Sequence, residues 1–277
     1  MFIRFVQPAN VEIKPTIHRI SIYPVKSLDG IDLQQAQVVK GGCLHHDREY
    51  AIIDGNSKFI NGKSNPLVHS LRSAVDFEAE TISLRPEAET KWNTWHLQKE
   101  RSAINDYLSA FFGTEAALHQ NKEGRFLDIP DISGLTVLST ASLETVAGWF
   151  NDMELEEARK RFRATIEISN PPAFWEDRLF FENGTAIEFK LGNTTVLGIS
   201  PRARCVVPTR HPQTGKVIHG FQKSFADHRK TNLPQWSTLD DYGHGYFLSV
   251  DCYLPSTEIG KWIAIGDEIK IIGKKKL

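Results

Sequence analysis

Cysteine is scarce in this 277-residue chain. There are three, Cys43, Cys205 and Cys252, widely spaced, with no C-x-x-C pair and no histidine cluster at zinc-finger spacing. That number and scatter exclude a disulfide framework, a structural zinc site and an iron–sulfur cluster held by the chain itself, so any cysteine chemistry is the work of a single thiol. Net charge is nearly absent as well: 33 Lys and Arg against 34 Asp and Glu leave -1. Such a balance gives no overall attraction to nucleic acid or anionic lipid, and an anion site has to be assembled locally from clustered cations. No apolar run is long enough to span a bilayer, and the opening Met1 to Pro8 lacks the charged and apolar regions of a signal peptide. The expectation is a cytoplasmic protein that meets neither membrane nor nucleic acid. A glycine fingerprint opening a β-α unit, an internal repeat and a low-complexity tract are also missing.

What is present is ordinary globular material, 40% hydrophobic and 24% charged, in a chain long enough to bury a sizeable core. Short β-branched stretches punctuated by turn residues dominate: Ile17 to Tyr23, Ala36 to Val39, Tyr50 to Ile53 and a pair within Val75 to Leu84. Further on come Leu135 to Leu138, Ala164 to Ile168, Ala186 to Leu191, Thr194 to Ile199, Cys205 to Val207, Tyr246 to Val250 and Glu268 to Ile272. Helical signals are few. Asp106 to Phe112 reads as a short helix, and Leu143, Val146, Ala147 and Phe150 recur at helical spacing behind a Ser139 or Thr140 cap. The pattern predicts a mainly β protein of barrel-like domains with few helices, 1–125 and 126–277, joined near Asn121 to Asp131. Residues 215–242, polar and without periodicity, read as a long loop.

Cys205 stands out among the thiols. It follows a predicted strand in Ser200-Pro201-Arg202-Ala203-Arg204-Cys205, and Arg202, Arg204 and Arg210 surround it in sequence. Nearby cations favour a thiolate, the form that binds soft metals or attacks electrophiles; a buried cysteine with solvent-facing arginines is the alternative. Three further segments place cations beside strands: Tyr23-Pro24-Val25-Lys26-Ser27, Asp47-Arg48 and Arg161-Phe162-Arg163. Each is an anion handle or a solvated strand end. His45 and His46 are adjacent on an extended segment and face opposite ways, which argues against a shared metal.

Taken in order, Tyr-Pro-Val-Lys-Ser, Gly-x-x-x-Asp-Arg, Arg-Phe-Arg and Arg-Cys-Val-Val-Pro-Thr-x-x-Pro-x-Thr-Gly resemble the motifs of MOSC proteins with a MOSC N-terminal β-barrel domain, similar to the mitochondrial amidoxime-reducing component and its bacterial relatives. The resemblance runs from about Ile17 to Gly273. It implies a β-barrel MOSC domain, a molybdenum–molybdopterin cofactor and Cys205 as the protein's ligand to the metal. It also implies cofactor contacts from Lys26, Ser27, Arg48, Ser133, Arg163, Arg204 and Tyr246, with Asp131 an acidic residue at the catalytic centre. A metal already bonded to two dithiolene sulfurs suits a third soft ligand, and the cofactor's phosphate suits a local Lys and Arg cluster. The implied activity is a molybdenum-dependent oxidoreductase that reduces N-oxygenated compounds, hydroxylamines and amidoximes. Because no cysteine-rich ferredoxin domain follows, the electrons are expected from a separate ferredoxin or flavodoxin-like donor, met by the basic segment Lys216 to Arg229. Two alternatives use the same site: sulfur transfer through a Cys205 persulfide, and a non-catalytic cofactor carrier. The chain departs from its relatives at Thr165, where they carry Asn, at Ala203, where several carry Ser, and over residues 61–66.

Overall fold

The computed structural model describes residues 14–129, 132, 134–233 and 244–277. Its strands and helices are β1 (Thr16–Ile22), β2 (Ile31–Leu33), β3 (Gln35–Val39), β4 (Cys43–Leu44), β5 (Tyr50–Asp54), β6 (Leu71–Asp76), β7 (Thr81–Pro86), β8 (Asn93–His96), α1 (Arg101–Phe112) and β9 (Ala116–Gln120). There follow β10 (Leu135–Ser139), α2 (Thr140–Ala147), α3 (Leu155–Phe162), β11 (Ile166–Ser169), β12 (Thr185–Leu191), β13 (Thr194–Ala203), α4 (Phe221–Lys230), β14 (Phe247–Tyr253), β15 (Trp262–Ala264) and β16 (Ile269–Lys276). The protein is mainly β, as its sequence pattern predicts.

The larger lobe is a barrel. Its sheet runs β16-β12-β13-β14-β10-β11-β1-β2, antiparallel except for the β10–β11 pair. The ring closes where Thr16 bridges Glu268, Ile17 N donates to Asp267 O at 2.9 Å and Gly266 N to Ile17 O at 2.8 Å. Closure satisfies backbone groups that an open edge would leave bare. Alternate residues such as Ile17, Val137, Ile166, Phe189, Val196 and Val250 fill the interior, and β3 and β15 cover it with Ala36, Val38 and Ile263. Gly198 on β13 has a packing reason: a Cβ there would lie 1.6 Å from Leu179 O.

The smaller lobe joins the β5–β9 pair to the β6-β7-β8 sheet and α1, around Ile52, Leu71, Leu84, Ile104 and Leu108. Packing does not follow the division at 125/126. Strands β1 to β4 precede it in sequence, yet β1 pairs β11 and β3 pairs β15.

Two segments differ from the sequence reading. Residues 221–230 form α4 rather than part of a loop, burying Phe221, Phe225, Ala226 and Arg229. The i, i+4, i+8 stripe is present, but its last member is an arginine, so the segment reads as polar. Arg229 is 1% exposed and bonds Asp177, which removes it from any docking surface, while Lys223 and His228 stay exposed. Cys205 to Val207 is not a strand: β13 ends at Ala203, and a 3-10 turn occupies Val207–Thr209, where Pro208 has no N–H for a ladder. Helix α2 starts as expected, with Ser142 N donating to Ser139 Oγ at 3.1 Å.

A third core under α2, α3 and α4 borders a buried acid. Glu176, 1% exposed, faces the Ser139 and Ser142 hydroxyls without a hydrogen bond to either carboxyl oxygen, and burial, reinforced by Asp177, pushes it up to about 7. A carboxyl raised above its unfolded value contributes stability that is complete below about pH 4.3 and lost as pH rises through 7. The expected result is that Glu176→Gln removes an order of 3 kcal/mol of pH dependence between pH 5 and 7.5, read from denaturation midpoints at both values. A wild-type midpoint that rises over that interval, or a variant with an unchanged slope, contradicts this.

Candidate functional site

The turn after β1 and the turn before β5 build one wall of a cavity. Lys26 N donates to Tyr50 O at 2.8 Å, Arg48 N to Tyr23 O at 2.9 Å and Tyr50 N to Pro24 O at 2.9 Å, locking the two turns together. Asp47, fully buried, accepts from Tyr23 N at 2.8 Å through one oxygen and from Arg48 Nη1 at 2.5 Å through the other. Tyr23 then carries two guanidinium groups against its ring, Arg48 at 4.6 Å and Arg163 at 3.9 Å. Arg163 arrives there as the left-handed C-cap of α3, its N–H donating to Arg159 O at 2.8 Å.

Ser27, Arg48 and Arg163 all hold positive φ, at 73°, 49° and 52°. Such a backbone costs a non-glycine residue about 1 kcal/mol or more. Three of them on one cavity are the strain expected where side chains must converge on a ligand.

The opposite wall comes from β13 and the turn beyond it. Arg202 bonds Asp251 at 2.5 Å and Asp128 at 3.0 Å. Arg204 N donates to Tyr246 O at 2.9 Å, which turns its side chain under α3, where Nη2 donates to Phe162 O at 2.6 Å. Its Nε and Nη1 are buried without partners, and burial lowers it to about 10. Cys205 is free and partly exposed, its Sγ 3.5 Å from Val207 N. The other two thiols are buried; burial pushes Cys43 up to about 11 and Cys252 well above the ordinary thiol value.

These walls enclose about 800 Å³ lined by Lys26, Ser27, Arg48, Arg163, Arg204 and Cys205 together. Among the described residues, thirteen Lys or Arg and six Asp or Glu line it, so the near-neutral chain concentrates positive charge in one place. Most lining arginines are already paired: Arg19 with Asp32, Arg48 with Asp47, Arg72 with Asp29 and Glu87, Arg159 with Glu167, Arg161 with Glu157 and Arg202 with Asp251. Arg85, Arg163, Arg204 and Arg210 have no carboxylate partner among the described residues, and of these Arg85 donates to the backbone carbonyls of Pro86, Glu87 and Glu89. Burial weakens the hold of Arg163 and Lys26 on their protons, opposed at Lys26 by Asp128.

Some sequence-derived positions fall elsewhere. Asp131 and Ser133 lie outside the described residues. Tyr246 does not line the cavity; its ring packs on Phe221 and Phe225, and its buried hydroxyl, unpartnered, stands behind Arg204. Thr165 exchanges hydrogen bonds with Thr136 at 2.7 and 3.1 Å and ties β10 to β11 instead of reaching the cavity. Asn61, Gly62 and Lys63, from the segment that departs from relatives, do line it. Sequence reasoning passed over Asp128, which binds Lys26 Nζ at 2.6 Å and is held well below the usual carboxylate range by Lys26 and then Arg202 against the effect of burial. Only its position three residues before Asp131 hinted at it. Among the described residues no group of three or more His, Cys, Asp or Glu is placed to hold a metal ion. No helix there is long and apolar enough to cross a membrane.

Fold and site thus define a class: a closed β-barrel with a second β lobe, and between them a cation-lined cavity that contains one accessible thiol. Residues 14–124 match the MOSC N-terminal beta barrel domain. Proteins with MOSC domains are associated with molybdenum cofactor binding. No curated protein matches. Among solved structures, the YuaD protein from Bacillus subtilis is similar at 10% identity and a TM-score of 0.40, over 93% of this chain and 95% of that one.

Proposed function

We propose that the cavity holds a molybdenum–pterin cofactor, with Cys205 as the protein's thiolate on the metal, and that the loaded protein reduces N-oxygenated compounds with electrons from a separate ferredoxin or flavodoxin-like donor. The observation that carries this reading is that the one accessible thiol opens into the same cavity as Arg163 and Arg204, which have no carboxylate partner among the described residues, Arg204 with buried, unpartnered N–H groups. The donor set fits the group: a soft sulfur for the metal, and guanidinium forks for the pterin's phosphate. When bound, the cofactor supplies two-electron chemistry in which a hydroxylamine, two electrons and two protons give an amine and water.

The chain's own residues bind and orient. Arg163 and Arg48, fixed on the Tyr23 ring, present their guanidinium groups from one wall, and Arg204 does so from the other. Asp47 holds Arg48 from behind and leaves its remaining N–H groups for the ligand. Lys26 answers to both Asp128 and the ligand, so its charge is shared rather than free.

The test is metal and pterin analysis of protein made in a host that synthesises the cofactor. Molybdenum near one per chain, with pterin released on denaturation, is the expected result. Arg163→Ala is expected to weaken pterin retention by about 1.5–3 kcal/mol, the range for hydrogen bonds to charged groups. Protein free of both molybdenum and pterin overturns the reading, and a persulfide on Cys205 in such protein replaces it with sulfur transfer.

A further inference from the structure

Of the four cavity arginines without a carboxylate, Arg85 is taken up by three backbone carbonyls and the Trp92 ring, and Arg163 and Arg204 belong to the proposed cofactor contacts, which leaves Arg210. Its backbone is pinned: Arg210 N donates to Val207 O at 3.0 Å, its carbonyl accepts from Arg161 Nη1 at 2.7 Å, and it bridges Val217. Its side chain is left without work. Nε is buried with no partner, and among the described residues no hydrogen bond or ion pair engages the guanidinium. A fixed backbone with an unengaged guanidinium facing a cavity is how an anion receptor is built in advance of its ligand.

Its charge reaches His69, whose protonated form is disfavoured by burial and then by Arg210. A Cβ added at Gly62 would come within 3.0 Å of His69 Nε2 and 3.3 Å of Val207 Cγ2, so the smaller lobe and the turn after Cys205 meet there. The acids of that wall are spent, since Arg72 takes Asp29 at 2.7 Å and Glu87 at 3.0 Å. Among the described residues no carboxylate is left for Arg210, while Cys205 lies five residues earlier and in the same cavity.

We propose that Arg210 anchors an oxyanion substituent of the substrate, so that this protein selects anionic N-oxygenated compounds, carboxylate- or phosphate-bearing, over neutral ones. The proposal rests on the reading of the cavity as a site of N–O reduction, but its test does not depend on turnover. Benzoate, phenyl phosphate and benzamide serve as probes, titrated against the purified protein by ligand-observed NMR, with molybdenum and pterin content measured on the same samples. Benzoate or phenyl phosphate is expected to bind at least tenfold more tightly than benzamide, and the stronger of the two identifies the oxyanion. Arg210→Gln is expected to abolish that preference with cofactor content unchanged, and Arg210→Lys to restore part of it, since Lys keeps the charge and loses the fork. Because the side chain makes no hydrogen bond in the fold, both variants should melt with the wild type. Equal binding of the three probes to wild type, or a preference that survives in Arg210→Gln, overturns the proposal. Loss of pterin in Arg210→Gln also overturns it, by making Arg210 a cofactor contact. Wild-type protein without molybdenum that still prefers the anions through Arg210 overturns the N–O reduction reading and leaves the anion site standing.

Discussion

Cys205→Ser should abolish reduction of N-oxygenated compounds, a fall of more than about 100-fold and so beyond what loss of an outer partner to a metal ligand costs. The reason is that, among the described residues, the thiol is the only soft donor that reaches the cavity; Cys43 and Cys252 are 0% exposed and inside the packing. Serine offers a hard, protonated oxygen in place of a polarisable thiolate. Stability should hardly change, because the thiol's one hydrogen bond is a long contact of 3.5 Å from Val207 N on a half-buried turn. Molybdenum content, activity with a dithionite-reduced dye and the melting temperature, measured together, separate the outcomes. A folded variant that keeps both metal and activity rules Cys205 out as the ligand. Cys43→Ser and Cys252→Ser should keep activity per folded molecule.

Arg229→Ala should cost about 3–5 kcal/mol, the range for removing one partner of a buried ion pair, and lower the melting temperature by roughly 10 °C. Arg229 is among the largest fully buried side chains; it bonds Asp177, donates to Asn232 O at 2.6 Å and lies 4.3 Å from the Phe174 ring. Without it Asp177, which burial already raises, sits beside Glu176 with no counter-charge. The double variant Arg229→Met with Asp177→Leu should recover most of the loss, since an apolar pair of similar volume avoids the desolvation cost. Thermal denaturation at pH 7 measures both, and an Arg229→Ala protein that melts within a degree of the wild type refutes the account.

How much was legible followed from how each residue is buried. Strands with apolar cores, such as β1, β5 and β12, show in the sequence because their inward residues are aliphatic. Helices α3 and α4 do not, because each buries an arginine: Arg161, which donates to the carbonyls of Pro208 and Arg210 at 2.7 Å, and Arg229. A pattern scored on hydrophobicity reads a buried, paired guanidinium as solvent-facing. The motif residues on the cavity were legible as cations at strand ends. That Arg48 and Arg163 share the Tyr23 ring was not, because 115 residues separate them in sequence and the tertiary fold alone brings them together.

The pairing of β1 with β11 and of β3 with β15, and the bond from Ile17 to Asp267, bear on how the protein is made. A ribosome emits β1 and β3 long before these partners, so each waits with one edge unpaired, its other edge met by β2 or β4, while the α1 lobe, whose contacts are local, can form. Barrel closure is a late event of high contact order, which sets a slow folding rate and leaves apolar strand edges open to association during synthesis. The smaller lobe, completed first, is the piece that can fold at the pace of translation.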